Sequence, residues 1–152
     1  MTEKTLVILK PDAVKRALTG EIISRFEKKG LKILALKMTS LDDDILSKHY
    51  SEHVNKFFYE GLCRFMKDGP VLLILLEGYE AISVVRKMMG QTNASKADSG
   101  TIRGDFALTQ GFNLVHGSDS KEAADREIAL FFKDHDIHHY QLDSEKWNLP
   151  ND

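Results

Sequence analysis

The chain alternates between short apolar runs and charged stretches whose apolar residues recur with helical period. Thr5 to Leu9 is apolar and β-favouring, and Lys10-Pro11-Asp12 ends it, because Pro11 has no N–H to give a ladder. Ile22, Ile23 and Phe26 form one stripe between Glu21 and Lys29 with charges opposite, which predicts a helix. Gly30 is placed to stop it in the left-handed conformation. Leu31 to Met38 predicts a second strand. Asp42 to Tyr50 and Gly61 to Lys67 predict helical pieces, and Asp68-Gly69-Pro70 a turn. The continuous apolar run Val71 to Leu76 predicts a central strand covered on both faces. Tyr79 to Met89 returns to helical period through Ile82, Val85, Met88 and Met89. Leu114 to His116 offers a short last strand. The helix Lys121 to Lys133 follows, with Asp119 and Glu122 as a D-x-x-E capping box. The tail from His135 onward has no strong period.

This order, β-α-β-(α)-β-α-loop-β-α, predicts a ferredoxin-like α/β sandwich. Its sheet would be antiparallel and four-stranded, with helices on one face. Gly90 to Phe112 stands apart. It holds Gly90, Gly100, Gly104 and Gly111 among Thr, Asn, Ser and Asp. So long an aperiodic stretch inside a compact domain is usually functional or disordered. With 152 residues the expectation is a single domain, 1–152.

Composition narrows the partners. A net charge of −2 gives no prior for nucleic acid or an anionic membrane, so an anionic ligand must be drawn by local cations. The single cysteine, Cys63, excludes an internal disulfide and fits a reducing compartment. Val71 to Leu76 is too short to span a bilayer, and Met1-Thr2-Glu3-Lys4 lacks the apolar region of a signal peptide. A cytoplasmic protein is the expectation.

The richest chemistry lies in Asn113-Leu114-Val115-His116-Gly117-Ser118-Asp119-Ser120. It fixes a histidine at a strand-to-helix junction, near helix N–H groups that have no intrahelical partner and favour anions. Such a histidine is placed to accept a phosphoryl group, although a hydrogen-bonded structural histidine reads equally well from local context. Glu127 borders the apolar stripe of the next helix. It is either an ordinary boundary carboxylate or the group that holds one imidazole nitrogen and leaves the other as nucleophile. There is no G-x-x-x-x-G-K-[ST] and no G-x-G-x-x-G, so any phosphate must be held by side-chain cations. Lys10, Arg86 and Arg103 are candidates, with Thr92 and Asn113 as neutral donors. Arg103, flanked by glycines, either stabilises the long loop or reaches a phosphate with its planar fork. Phe57-Phe58 is either a plug under a loop or a platform for a base. Asp134-His135-Asp136-Ile137-His138-His139 has metal-ligand types without metal-ligand spacing, and reads as surface histidines.

These residues fall in blocks that resemble the nucleoside diphosphate kinases over nearly the whole chain. The blocks are Leu9-Lys10-Pro11-Asp12-Ala13, Gly20-Glu21-Ile22-Ile23-x-Arg25-Phe26-Glu27, His49-Tyr50, Asp68-Gly69-Pro70-Val71, Gly90-x-Thr92-Asn93, Gly100-Thr101-Ile102-Arg103-Gly104-Asp105-Phe106 and the His116 segment. The resemblance implies a ping-pong transfer of the γ-phosphoryl group of a nucleoside triphosphate, typically ATP, to His116 and on to a nucleoside diphosphate, ribo or deoxy. It implies that Lys10, Tyr50, Arg86, Thr92, Arg103 and Asn113 bind phosphates, a ribose hydroxyl or the reacting centre. Phe58 would stack on any base, since every base has a π-face. Ser118 and Glu127 would orient His116, and Mg²⁺ would bridge the phosphates with Asp119 its nearest protein helper. It also implies a homo-oligomer, a hexamer rather than a tetramer, from the tail carrying Trp147. Ala94 and Ser99 stand where many relatives carry loop prolines, and Phe57 where a proline is common. Each such loss enlarges the unfolded ensemble, at about 0.4–1 kcal/mol per compatible site.

Two other readings are available. A phosphohistidine relay or nucleotide sensor would share the site, but intact Lys10, Arg86, Arg103 and Phe58 favour a nucleotide that turns over. A ferredoxin-like nucleic-acid module is disfavoured by the acidic balance and the missing aromatic pattern of RNA-binding sheets.

Overall fold

The run Val71 to Leu76 organises the molecule. In the computed structural model, which describes residues 1–151, it is the buried part of strand β3 (Val71–Tyr79). β3 lies between β2 (Lys32–Thr39) and β1 (Thr2–Leu9), and β4 (Val115–Gly117) pairs with the other edge of β1. Every pairing is antiparallel, in the order β2-β3-β1-β4, which is the predicted ferredoxin-like sheet. The helices among the described residues are α1 (Pro11–Lys15), α2 (Thr19–Lys29), α3 (Asp43–His49), α4 (Tyr59–Met66), α5 (Ala81–Met89), α6 (Ile102–Phe106), α7 (Lys121–Phe131) and α8 (Glu145–Asn148).

Strand alternation divides the apolar residues between two cores. Val7, Leu9, Leu72, Ile74 and Leu76 pack with Ile22 and Phe26 of α2 and with Ala81, Val85 and Met89 of α5. Leu6, Ile8, Leu73 and Leu75 pack with Leu46 of α3, Cys63 and Met66 of α4 and Phe131 of α7. The expectation of helices on one face is therefore corrected. The crossovers α2 and α5 take one face, and α3, α4 and α7 cover the other. β1 and β3 are apolar on both sides, and such strands need cover on both.

Local signals set most boundaries. Gly30, at φ 104°, ends α2, with Leu31 N–H returning to Phe26 O at 3.1 Å. α4 begins at Tyr59, two residues before the predicted start, and Tyr79 completes β3 rather than opening α5. The predicted capping box of α7 is replaced by a single cap. Ser120 Oγ accepts from Ala123 N–H at 3.1 Å, which leaves Asp119 exposed outside the helix. The reason is local: Ser120 itself takes the extended backbone of a cap, so the third helical position is Ala123 and not Glu122.

The aperiodic loop is ordered by pieces too short to show a period. Asn93 caps a 3-10 turn at Ala94–Lys96, and Thr101 Oγ1 accepts from Gly104 N–H at 3.0 Å to cap α6. Ala94 is buried and Ser99 exposed. Arg25 ties the loop to α2, reaching Asp105 Oδ2 at 2.6 Å and Gly100 O at 3.1 Å. A Cβ at Gly104 would lie 1.9 Å from Asp98 O, so only glycine fits where the loop crosses itself.

β4 starts at Val115 and not at Leu114, because Leu114 has φ 74°. Val115 N–H folds back to Asn113 O at 2.8 Å around it, a tight turn that L-residues rarely adopt. It is held from outside: Lys10 N–H donates to Leu114 O at 2.8 Å, and Leu114 N–H donates to Asp12 Oδ2 at 3.1 Å. The exit of β1 and the entry of β4 are thereby locked together, and both carry candidate site residues.

Candidate active site

His116 stands on β4 opposite Ile8 of β1, with its side chain 23% exposed. Its Nε2 lies 2.7 Å from Glu127 Oε2, and Ser118 Oγ donates to Glu127 Oε1 at 2.6 Å. Ser118 Oγ in turn accepts from Leu6 N–H at 3.2 Å, so the carboxylate is anchored through a hydroxyl to the central sheet. Glu127 is 3% exposed. Burial opposes its ionisation, yet the hydrogen bonds from His116 and Ser118 hold its carboxyl below the ordinary value. An ionised Glu127 accepts Nε2–H and leaves the Nδ1 lone pair of His116 uncommitted.

That imidazole borders a cavity of about 640 Å³. One end is polar, with Lys10, Arg86, Thr92, Arg103 and Asn113, and the other is apolar, with Phe58, Leu62, Phe65 and Phe112. Tyr50 also lines it. Every residue expected from the sequence to touch a nucleotide is brought to this one space, and of the two residues expected to bond His116, Glu127 does so directly and Ser118 bonds Glu127 instead. The histidines of residues 135–139 form no metal-type cluster among the described residues.

Each cation is placed by a backbone contact or a partner. Lys10 leaves the end of β1, and its Nζ donates to Asn113 Oδ1 at 2.9 Å, while Asn113 Nδ2 donates to Thr92 O at 2.9 Å. Burial, then repulsion from Arg103, lowers the Lys10 pKa to about 8, with Asp12 opposing. Arg103 is buried. Its Nε, Nη1 and Nη2 donate to Asn113 O, Gly90 O and Val115 O at 3.2, 3.0 and 2.7 Å. It therefore does stabilise the loop, and it does so while facing the cavity. Burial, then Arg86, brings its pKa down to about 10. Arg86 is carried by α5, which lies close to β4. A Cβ at Gly117 would sit 2.5 Å from Met89 Sδ, so glycine permits the approach that puts Arg86 Nη1 3.3 Å from Gly117 O. Burial raises the Tyr50 hydroxyl above its ordinary pKa, with Glu127 adding to the effect.

Phe58 precedes α4 and is 40% exposed over the cavity, between His53 at 5.3 Å and Lys56 Nζ at 5.7 Å from its ring. Phe57 is 98% exposed, so the pair is not a buried plug. Sequence reasoning gave no role to His49, Leu62, Phe65 or Phe112. The spacing of the capping residue Phe58 and of Leu62 and Phe65 on α4 was the available signal for two of them, since it puts all three on one face. For Phe112 only the tertiary fold supplies it, through an edge-on ring contact with Phe65 at 5.1 Å.

The metal question turns on donor type. His49, His116 and Glu127 have ligand atoms within 4.8 Å of one another, but two nitrogens and a carboxylate engaged in hydrogen bonds suit zinc rather than magnesium. The oxygen donor near His116 is Asp119, exposed and lining a small cavity of about 180 Å³ beside it. One carboxylate fits a hard cation that arrives on phosphates and keeps its waters.

A buried carboxylate that fixes one nitrogen of an imidazole, with the other turned to a cation-lined cavity ending in aromatic rings, defines a phosphotransferase that uses a side chain as carrier. The family profile of nucleoside diphosphate kinase matches residues 3–137, and the chain belongs to that family. It is 58% identical over 137 residues to the nucleoside diphosphate kinase of Methanocaldococcus jannaschii, covering 90% of this chain and 98% of the relative. Among solved structures it is similar to the halophilic enzyme of Halobacterium salinarum in complex with CDP, with TM-score 0.94, 44% identity, and 97% and 98% of the two chains covered. It is similar also to the Borrelia burgdorferi enzyme, a transition-state mimic with bound vanadate and ADP, with TM-score 0.91, 39% identity, and 97% and 96% covered. The enzyme transfers a phosphoryl group from a nucleoside triphosphate to a nucleoside diphosphate, by a ping-pong route through a phosphohistidine. Kinases of this kind use a divalent metal.

Proposed function

We propose that His116 is the phosphoryl carrier and that the surrounding cavity holds the nucleotide. The observation that carries this reading is the hydrogen-bonded chain Ser118–Glu127–His116, which ends at an uncommitted Nδ1 on the cavity wall. Nδ1 attacks the γ-phosphorus of the bound triphosphate. A P–N bond forms, the bond to the β–γ bridging oxygen breaks, and that oxygen leaves with the electron pair on the diphosphate. Glu127 holds the Nε2 proton throughout and balances the positive charge that the ring gains. A second diphosphate then takes the phosphoryl group by the reverse steps. Lys10, Arg86 and Arg103 neutralise charge on the phosphates, and Asn113, Thr92 and Tyr50 position them and the ribose. Positioning and neutralisation supply most of the catalysis in such transfers. Phe58 stacks on the base, and stacking accepts ribo- and deoxynucleotides of every base. The divalent ion would be Mg²⁺, which would supply charge neutralisation on the phosphates, with Asp119 the carboxylate that would help hold it.

We further read the chain as one catalytic domain that works in the cytoplasm as a homo-oligomer, a hexamer rather than a tetramer. Exposed Leu36 and Met38 on edge strand β2, and exposed Trp147 in the tail, support association. Light scattering distinguishes the assemblies by mass.

The direct test mixes the protein with ATP, Mg²⁺ and a different nucleoside diphosphate. The expected product is the second triphosphate, and folded protein that makes none overturns the reading. Glu127→Gln is expected to slow turnover by about 10²-fold without abolishing it, because the amide must turn a donor towards either Ser118 or His116. Steady-state kinetics check this, and an unchanged kcat removes Glu127 from the mechanism.

Lys10 gives a pH prediction. It holds a phosphate only when protonated, and its pKa in the free protein is about 8. Affinity for a nucleoside diphosphate is expected to be full below that value and to fall as pH rises through it. Lys10→Arg is expected to move the fall upward, since guanidinium stays charged. Titration calorimetry from about pH 7 to about 9.5 reads the effect, and a flat affinity for the unaltered protein contradicts it.

A further inference from the structure

Behind the carrier sits a side chain that the transfer steps do not use. His49 closes α3 with its side chain 1% exposed. Neither ring nitrogen has a hydrogen-bond partner among the described residues, although one of them must carry a proton. Phenylalanine would fill this place without burying an unpaired donor and an unpaired acceptor, each of which costs its desolvation. The neighbours suggest what the nitrogens are for. The ring stands edge-on to Tyr50, to Phe131 and to His116, the last at 83° with centroids 4.8 Å apart. His49 Nδ1 lies 3.5 Å from Glu127 Oε2, the same oxygen that His116 Nε2 meets at 2.7 Å. Burial, and then the nearness of His116, brings the His49 pKa down to about 3, so near neutral pH it offers an N–H without adding a charge.

We propose that His49 is a positioning residue whose Nδ1–H closes onto Glu127 Oε2, so that one carboxylate oxygen receives an N–H from each histidine and His116 is confined to the tautomer with its lone pair on Nδ1. The inference rests on His116 as the carrier. Its logic is that of the carboxylate. Each donor favours the ionised form of Glu127, and an ionised oxygen repels a lone pair on His116 Nε2 while welcoming an N–H there. The wrong tautomer, with its proton on Nδ1, has no electron pair to give to phosphorus. Ser118 already holds Oε1 at 2.6 Å. His49 restrains the other oxygen, and a small rotation of either side chain closes the 3.5 Å gap to hydrogen-bonding distance.

The test compares His49→Phe, which keeps an aromatic ring and removes the nitrogens, with His49→Gln, which keeps a donor. His49→Phe is expected to lower kcat about tenfold with nucleotide KM unmoved, as loss of a group orienting a functional histidine does. His49→Gln is expected to recover most of that loss. Nitrogen-15 NMR of the histidine rings gives a readout that mere packing would not move. In the unaltered enzyme His49 is expected to be protonated on Nδ1 and His116 on Nε2, and in His49→Phe the His116 pattern is expected to become a mixture. A proton on Nε2 of His49 overturns the proposal, even if neither variant folds. So does a His49→Phe enzyme with unaltered kcat and unaltered His116 signals. Mass spectrometry of the phosphoenzyme separates the two layers. Phosphate on His116 with no effect of His49 sinks this inference alone, whereas phosphate elsewhere sinks the carrier assignment beneath it.

Discussion

Replacing His116 with alanine is expected to abolish nucleotide-to-nucleotide phosphoryl transfer and the acid-labile phosphoenzyme together. Both steps of the ping-pong cycle pass through one imidazole nitrogen, so removing it leaves no slower route through the same intermediate. A loss of at least about 10⁴-fold in kcat follows, a fraction of the acceleration such enzymes provide. Nucleotide binding is expected to persist, because Lys10, Arg86, Arg103 and Phe58 line the cavity independently of His116. Glu127 loses its partner at 2.7 Å, while keeping Ser118 at 2.6 Å. A modest fall in stability, of about 1–3 kcal/mol, accompanies the change. Labelling with γ-labelled ATP, an alkaline quench and calorimetry with a diphosphate check the three statements. Undiminished acid-labile label on the variant would place the nucleophile elsewhere.

Arg103→Ala is expected to have the largest effect on stability of any single site residue. Its guanidinium gathers the carbonyls of Asn113 and Val115, on one tight turn, and of Gly90, at the start of the long loop. Alanine leaves those carbonyls facing a void, and breaking a buried charge-assisted cluster costs about 3–5 kcal/mol. At about 2–4 °C per kcal/mol for a chain of this size, Tm falls by roughly 10 °C. Activity falls with it, because Gly90 begins the loop that carries Thr92, and Val115 and Asn113 flank the turn that presents His116. Arg103→Lys is expected to recover little, since an ammonium cannot match the planar fork. Thermal and urea unfolding measure this, and a Tm within about 2 °C of the unaltered protein contradicts it.

The two predictions differ in how far the sequence reaches. His116 is legible as a candidate from eight contiguous residues, because a strand end, a glycine and a helix start are local patterns. Arg103 is legible only as a choice between loop and phosphate. The two roles separate only when Gly90, Asn113 and Val115 are brought around it, and periodicity does not encode that meeting. Local pattern also misplaces the start of β4 and the cap of α7. Leu114 reads as a strand residue by composition, but contacts with Lys10 and Asp12, more than a hundred positions away, hold it at positive φ. Asp119 matches a capping pattern, but the backbone of Ser120 takes the cap and frees it. The face that α3, α4 and α7 cover was misjudged, although the helices themselves were predicted, because their stripes do not say which side of the sheet they meet.

By itself the sequence determined the element order, the central place of Val71 to Leu76, the ferredoxin-like class and, through blocks spread along the chain, the nucleoside diphosphate kinase family. These are properties of local pattern, where side chain and backbone preference act over a few residues. Only the tertiary structure decided that Glu127 is buried and bonded through separate oxygens to His116 and Ser118, that Arg103 serves the loop as well as the cavity, and that His49 lies unpaired behind the carrier. Those facts depend on burial and on angles between elements distant in sequence, and a low-dielectric interior makes the same residue types bind or titrate differently from their exposed forms.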